Sequence, residues 1–267
     1  MGYPRGLPLN ETTIANKLKE AGYSTHLVGK WNCGFYSKEF LPHNRGFDTF
    51  FGFVDSKEDH YTHMVHDISD LRRNDLCVAD KYYGNYSTIM YGNEGTTIID
   101  NHDTNKPLFL FMSFSAVHEP LQVPSVYEKE YIPTIDDTDR RIYAGMVSCV
   151  DEAIANIIET LENKDMLKNS IIVFTSDNGG DPLYSGNNWP LRGWKASNWE
   201  GGVRALGFVY SEILPTNARG TDNNELMHIT DWFPTLVDIS GGNIHTEELL
   251  YGVSQWGVIR YECIIYK

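Results

Sequence analysis

The apolar positions of this sequence fall into segments of two different periods. Residues 12–21 place Ile14, Leu18 and Ala21 on one face at helical spacing, and Gly22 follows as a stop, which predicts a helix. Residues 23–28 read as a short strand running into Gly29-Lys30-Trp31. After Lys106-Pro107, residues 108–116 are almost uninterruptedly apolar, the pattern of a strand central to a sheet. Helical spacing returns over residues 139–162, where Met146, Val150, Ile154, Ile157, Ile158 and Leu161 make a stripe. Residues 170–175 predict a second buried strand, 203–209 a third, and 231–239 a short helix, with no internal repeat.

Strands alternating with helices indicate an α/β layered fold, a largely parallel mixed sheet flanked by helices. A chain of 267 residues, 41% hydrophobic and 13% aromatic, is long enough for one large domain or two small ones and can bury a sizeable core. The loops between the elements are long and rich in Gly, Asn and Trp, and long loops in compact domains are often functional. Open α/β sheets bind their ligands at the carboxyl ends of the strands, which directs attention to the residues after each apolar run.

Three such ends carry complementary groups. Val28 is followed by Gly29-Lys30-Trp31-Asn32-Cys33-Gly34, Phe114 by Ser115-Ala116-Val117-His118-Glu119-Pro120, and Phe174 by Thr175-Ser176-Asp177-Asn178-Gly179-Gly180. A further cation, Lys195, lies in Pro190-Leu191-Arg192-Gly193-Trp194-Lys195. Asp177 and Asn178 offer the oxygen ligands that hard cations prefer, although an ordinary Asp-Asn-Gly turn has the same composition. Lys30 and Lys195 could hold an anionic group, and a lone lysine is more usually solvated. His118 could donate a proton or a hydrogen bond, where a lone histidine beside a strand is more often structural. Taken together at strand ends, these residues outline a metal site and an anion clamp.

The charge balance qualifies that outline. With 22 basic and 36 acidic residues the formal net charge is −14, which argues against nucleic acid as a partner. It would also repel an anionic substrate unless positive charge were focused locally, or unless an acidic compartment protonated the nine histidines. The four cysteines, Cys33, Cys77, Cys149 and Cys263, match no zinc or redox spacing, and Cys149 falls in the apolar stripe of a helix as a small core residue. The opening Met1-Gly2-Tyr3-Pro4-Arg5-Gly6 has no apolar signal-peptide region, and no apolar run reaches membrane-spanning length. Asn10-Glu11-Thr12 and Asn85-Tyr86-Ser87 match the glycosylation acceptor pattern, which also arises by chance.

Longer motifs then become legible. The run from Leu18 to Trp31, LKEAGYSTHLVGKW, resembles the second signature region of sulfatases, and Arg45-Gly46-Phe47-Asp48 follows at the expected distance. Ser115-Ala116-Val117-His118-Glu119-Pro120-Leu121-Gln122-Val123-Pro124 is similar to the arylsulfatase B group in particular. So are Tyr143-Ala144-Gly145-Met146-Val147-Ser148, Ser176-Asp177-Asn178-Gly179-Gly180 and Asn187-Asn188-Trp189-Pro190-Leu191-Arg192-Gly193. Trp199-Glu200-Gly201-Gly202-Val203-Arg204 and His228-Ile229-Thr230-Asp231-Trp232-Phe233-Pro234-Thr235-Leu236 complete an ordered series over roughly residues 6–260. The resemblance implies an alkaline-phosphatase-like α/β domain, a bound Ca²⁺, a formylglycine made from cysteine, and hydrolysis of aryl or glycosaminoglycan sulfate esters in the secretory pathway, lysosomal or secreted. Position by position, it puts Asp177 and Asn178 on the calcium ligands, and Lys30, His118 and Lys195 around the sulfate.

The resemblance also exposes departures. Neither the Cys-x-Pro-Ser-Arg nucleophile segment nor the aspartate pair that completes the family's calcium site occurs in these residues. The expectation is therefore a partial catalytic domain over residues 1–260, without the nucleophile segment or the small C-terminal domain, ending in a divergent tail at 261–267. Such a piece is expected to be inactive alone. The family usually carries a proton-transferring histidine after Gly-Lys-Trp, where this chain has Asn32; asparagine cannot shuttle a proton, so a catalytic defect is expected. Two alternatives stay open: a degenerate sulfatase that binds glycans or proteins without catalysis, and a phosphodiesterase-like relative, against which His118-Glu119-Pro120 speaks.

Overall fold

The computed structural model describes residues 5–243 and 251–260. The divergent tail expected at 261–267, with Cys263, lies outside the described residues. The strands are β1 (Ser24–Gly29), β2 (Thr49–Phe53), β3 (Met64–Val65), β4 (Ile68–Ser69), β5 (Leu71–Arg73), β6 (Leu76–Cys77), β7 (Leu108–Ser113), β8 (Ile172–Thr175) and β9 (Gly207–Tyr210). The α-helices are α1 (Ile14–Glu20), α2 (Ala79–Tyr82), α3 (Ser87–Asp100), α4 (Ser125–Lys129), α5 (Thr138–Asn163), α6 (Glu200–Val203), α7 (Trp232–Ile239) and α8 (Trp256–Ile259).

The main sheet has the order β6-β5-β2-β1-β7. β1 pairs in parallel with β2 and with β7, in a register that runs from Ser24 opposite Leu108 to Gly29 opposite Ser113. β5 and β6 add antiparallel strands at one side, and β8 and β9 form a separate antiparallel pair. The α/β layered fold, a mixed sheet flanked by helices, is as the periodicities indicated.

Strand alternation sorts the side chains into two cores. Leu27 and Phe50 point into a cluster with Ala15, Leu41, Phe47 and Val54, against which Phe109 packs. Val28, Phe51 and Phe53 point the other way, with Leu71, Met90 and Tyr91 and with Leu110 and Met112 packed on them. Both faces of the central strands are covered, which is why the sequence shows apolar runs there and not alternation. α3 and α5 close the second face. They approach tightly at Gly92, where an added Cβ would sit 2.9 Å from that of Ala153. The Asp137 carboxylate caps α5 by accepting the Arg140 amide at 2.7 Å. At α1, Thr13 and Asn16 exchange side-chain and backbone hydrogen bonds in a capping box, a device worth about 1 kcal/mol.

Several expectations change. β7 is not central: it ends the row of the main sheet among the described residues, and Phe111 is 49% exposed. The run 170–175 is half-buried, in the two-stranded pair. The strand expected over 203–209 begins only at Gly207, because Glu200–Val203 forms a helical turn. There Gly201 and Gly202 lie against carbonyls of Gly193 and Ser197, at positions where an added Cβ would come within 2.3 Å. α3 and β2 went unread. The Gly and Thr content of α3 masks its period, and β2 is five residues, Thr-Phe-Phe-Gly-Phe, broken by a glycine.

Candidate active site

β1 and β7 end side by side, and the first candidate leaves from that point. Gly29 has φ +106°, and a Cβ there would lie 1.9 Å from the Ser113 carbonyl oxygen. Gly52 on β2 approaches the Gly29 carbonyl just as closely, so three backbones meet at glycines. The Lys30 amide donates to Ser113 O at 2.8 Å, and the next two amides, Trp31 and Asn32, donate to Phe53 O and Val54 O at 3.0 and 3.2 Å. The Trp31 indole N–H is shared by the carbonyls of Gly34 and Phe40, at 3.0 and 2.9 Å. Lys30 therefore rises from a fixed backbone.

The Lys30 ammonium is half-buried, and burial pushes its pKa below the usual lysine value. Asp177 pulls it back up, Lys195 pushes it down, and Asp55 raises it. Two of the residues singled out in the sequence, Asp177 and Lys195, are thus within electrostatic reach of a third, Lys30, although Lys195 is 165 positions from Lys30 in the chain. Asp55 is a further carboxylate there that sequence reasoning missed. It follows β2 and Val54, so its place at a strand end was hidden with the strand.

Asp177 is exposed and Asn178 half-buried, beyond the end of β8. The Asn178 amide nitrogen donates to Gly179 O at 2.9 Å, which leaves its side-chain oxygen available. Gly179 has no room for a side chain, since a Cβ would lie 1.7 Å from Gly201 O. Asn188 clamps the next residue from both sides: its oxygen accepts the Gly180 amide at 2.7 Å, and its nitrogen donates to Gly180 O at 2.8 Å. The Lys195 amide also donates to Gly180 O, at 3.4 Å, and the Arg192 guanidinium lies 3.7 Å over the Trp199 ring. The Asp-Asn-Gly-Gly turn and the loop carrying Lys195 are one braced unit. Among the described residues, the turn leaves both the Asp177 carboxylate and the Asn178 side-chain oxygen without a hydrogen bond that would consume it.

The donor set is nevertheless short for calcium. Asp177 and Asn178 offer oxygens of the right kind, but Ca²⁺ takes about six to eight. Among the described residues no group of three or more His, Cys, Asp or Glu side chains is arranged to hold a metal ion.

His118 follows β7 on the same side of the sheet. Its amide donates to Ser115 O, and its ring Nδ1 lies 2.9 Å from the Glu119 carbonyl, which can only accept, so Nδ1 donates and Nε2 is the nitrogen not engaged by it. The loop is tied to residues 57–60: Lys57 Nζ pairs with the Glu119 carboxylate at 2.9 Å, and Gln122 bridges the His60 amide and the Asp59 carboxylate. None of these partners carries a sequence signal of its own.

Asn32 is exposed and has φ +50°, in the left-handed region where asparagine is well tolerated. Asn10 and Asn85 are both exposed. Ser87, third in the second acceptor triplet, is fully buried, with its hydroxyl 2.7 Å from His60 Nδ1. Cys149 is buried, and burial pushes its thiol up to about 11, so it is an inert core residue. Arg45 of the Arg-Gly-Phe-Asp motif is buried and donates to the carbonyls of Leu7, Pro8 and Glu11, and Asp48 accepts from the Thr25 amide and Lys19: this motif is structural. No helix among the described residues is long and apolar enough to cross a membrane.

Comparison with known proteins adds to this geometry. The family profile described as Sulfatase matches residues 1–242. Arylsulfatase J of Mus musculus is 48% identical over 261 residues, covering 96% of this chain and 43% of that protein. N-acetylgalactosamine-6-sulfatase of Rattus norvegicus is 28% identical, covering 93% of this chain and 48% of its own. The crystal structure of Ps i-CgsB in complex with k-i-k-neocarrahexaose superposes with a TM-score of 0.89 at 27% identity, over 98% of this chain and 60% of that one. The chain spans about half the length of the curated relatives it matches, 43% and 48% for these two.

Proposed function

The chain belongs to the sulfatase family, and on that premise we propose that the natural polypeptide carrying it is a sulfuric ester hydrolase of the arylsulfatase B-like group. Its substrate is a sulfated carbohydrate or an aryl sulfate. The observation that carries this reading is that Lys30, just past β1, feels the charges of Asp177, just past β8, and of Lys195, in the loop whose amide bonds to Gly180 O. Two ammonium groups in a partly desolvated site on an otherwise acidic protein focus positive charge where a sulfate would sit.

In this reading Lys30 and Lys195 hold the non-bridging sulfate oxygens, and their charge offsets the negative charge that grows as the ester bond breaks. His118, with Nδ1–H fixed on the Glu119 carbonyl, turns Nε2 toward the ester. Protonated there, it donates to the leaving oxygen. Asp177 and Asn178 would contribute oxygens to a calcium site, which needs further ligands beyond these two. Calcium, when bound, polarises the sulfate. Exposed Asn10 and Asn85 support glycosylation and a secretory route to lysosome or cell exterior. Nucleic acid and membrane lipid are not partners in this reading.

The test is an assay of the natural polypeptide with an aryl sulfate, with calcium and with a chelator. Calcium-dependent hydrolysis that is lost in Lys30→Ala supports the proposal. Faster cleavage of a phosphate diester would transfer the site to phosphodiesterase chemistry. Binding of a sulfated glycan without turnover would leave a binding module. The 267-residue chain alone is expected to be inactive.

A further inference from the structure

The loop that carries His118 is held by a second histidine that the reaction outlined above does not use. His60 is completely buried, and both ring nitrogens are engaged: Nδ1 lies 2.7 Å from Ser87 Oγ, and Nε2 lies 3.2 Å from the His118 carbonyl oxygen. A carbonyl can only accept, so Nε2 carries the proton, and the neutral ring accepts at Nδ1 from the Ser87 hydroxyl. Burial holds the imidazole pKa below its usual value, in keeping with a neutral ring.

The surroundings make this a strut and not an isolated contact. Ser87 opens α3, and its amide donates to the His60 carbonyl at 2.9 Å. The His60 amide donates to Gln122 Oε1 at 2.9 Å, and Gln122 returns a bond to Asp59 at 2.8 Å. The line from α3 through Ser87 and His60 to the His118 carbonyl is therefore continuous and mostly buried. It reaches the backbone of the residue whose ring, in the reading above, meets the ester.

We propose that His60 is a positioning residue: by donating from Nε2 to the His118 carbonyl, it sets where the His118 ring stands relative to the sulfate. The inference rests on the sulfatase reading. A core histidine that only satisfies its own polar atoms would hold the fold but leave the chemical step untouched.

Two substitutions separate these cases. Asparagine can keep the Ser87 partner but is too short to reach the His118 carbonyl. Glutamine places an amide N–H close to where Nε2 stands. In the natural polypeptide, with an aryl sulfate as substrate, His60→Asn is expected to lower kcat about ten-fold or more with KM little changed, because the displaced ring is the one that meets the leaving oxygen. Competitive inhibition by inorganic sulfate, held by Lys30 and Lys195, should change little, while the melting temperature falls because a fully buried, doubly bonded ring is lost, so both variants are assayed well below it. His60→Gln should retain most of the activity. Equal values for the two variants, or an unchanged kcat in His60→Asn, would overturn the proposal. If His60→Asn does not fold, Ser87→Ala, which frees the ring to turn, takes its place, with Asn85→Gln as the control for the lost Asn85-Tyr86-Ser87 acceptor pattern: a kcat lowered relative to that control supports the strut and an equal one overturns it. If the unaltered protein hydrolyses no sulfate ester, the sulfatase reading fails first. Amide exchange over residues 115–122 in the 267-residue chain then still decides the strut: faster exchange in His60→Asn but not in His60→Gln supports it, and equal exchange overturns it.

Discussion

The Lys30 amide donates to the Ser113 carbonyl at 2.8 Å, one residue past the last register pair of β1 and β7. This bond places the lysine at the seam between two parallel strands, with its ammonium half-buried and within electrostatic reach of Asp177 and Lys195. Removing its charge should act on the anion and not on the fold. Lys30→Met is expected to lower sulfate affinity by ten-fold or more, with a melting temperature close to that of the parent. Titration with inorganic sulfate checks it, and unchanged affinity would show that Lys30 is a solvated bystander.

Gly29 makes that seam possible. A Cβ at this position would meet Ser113 O at 1.9 Å, on a backbone with φ +106°. Gly29→Ala must part β1 from β7 or abandon the left-handed backbone. It should cost more than about 2 kcal/mol, well above the ordinary penalty of Ala at a positive-φ glycine. Urea unfolding of the 267-residue chain measures it; a loss below about 1 kcal/mol would mean that the strands part without penalty.

Asn188 braces the other side of the site. It satisfies both the amide and the carbonyl of Gly180, and through Gly180 O it shares a partner with the Lys195 amide. Asn188→Ala should cost about 1–3 kcal/mol, with Asn188→Asp intermediate because the carboxylate can still accept but cannot donate. Sulfate binding should weaken more than in a surface control, since the Lys195 loop loses its tie.

What the sequence displayed of this site, and what it hid, follows from range. Helical and strand periods are local, so α1, β1, α5 and α7 were legible within two or three residues. The groups at strand ends were legible once those strands were. β7 read as central because both its faces are apolar, yet which strands lie beside it depends on pairings far along the chain. Asp55, His60 and Asn188 were not legible. Their partners, Lys30, His118 and Gly180, lie at separations that no local pattern encodes, or act through backbone atoms that leave no mark on sequence.

Asp70 gives a pH prediction. Its carboxyl is buried at 5% exposure, and burial pushes its pKa up to about 6, with the amides of Asp55 and Val54 and the Arg72 side chain opposing the rise. In the unfolded chain it titrates near 4. A carboxyl raised on folding stabilises the fold fully below the unfolded pKa and loses that contribution as pH climbs through the folded one. The chain should therefore lose stability from this group between about pH 4 and pH 6, on the order of 3 kcal/mol at most. Asp70→Asn keeps an acceptor for the two amides and removes the titration. Its urea midpoint should fall less between pH 4.5 and pH 7 than that of the parent, and an identical fall would assign the pH dependence to other groups.

Asn32 bears on whether the site turns over. The resemblance puts a histidine here, with a proton-transfer role that asparagine cannot fill. The structure supplies a separate reason for asparagine: φ is +50°, the side chain is exposed, and the amide is already bonded to Val54 O at 3.2 Å. Histidine also enters the left-handed region more readily than most residues, so Asn32→His should fold within about 1 kcal/mol of the parent. The backbone would then carry the ring from the same turn that fixes Lys30 and Trp31. If proton transfer limits hydrolysis, the substitution should raise kcat of the natural polypeptide on an aryl sulfate by about 10²-fold, with KM little changed. A kcat that does not move would mean that another group supplies the proton, and that Asn32 serves the turn alone.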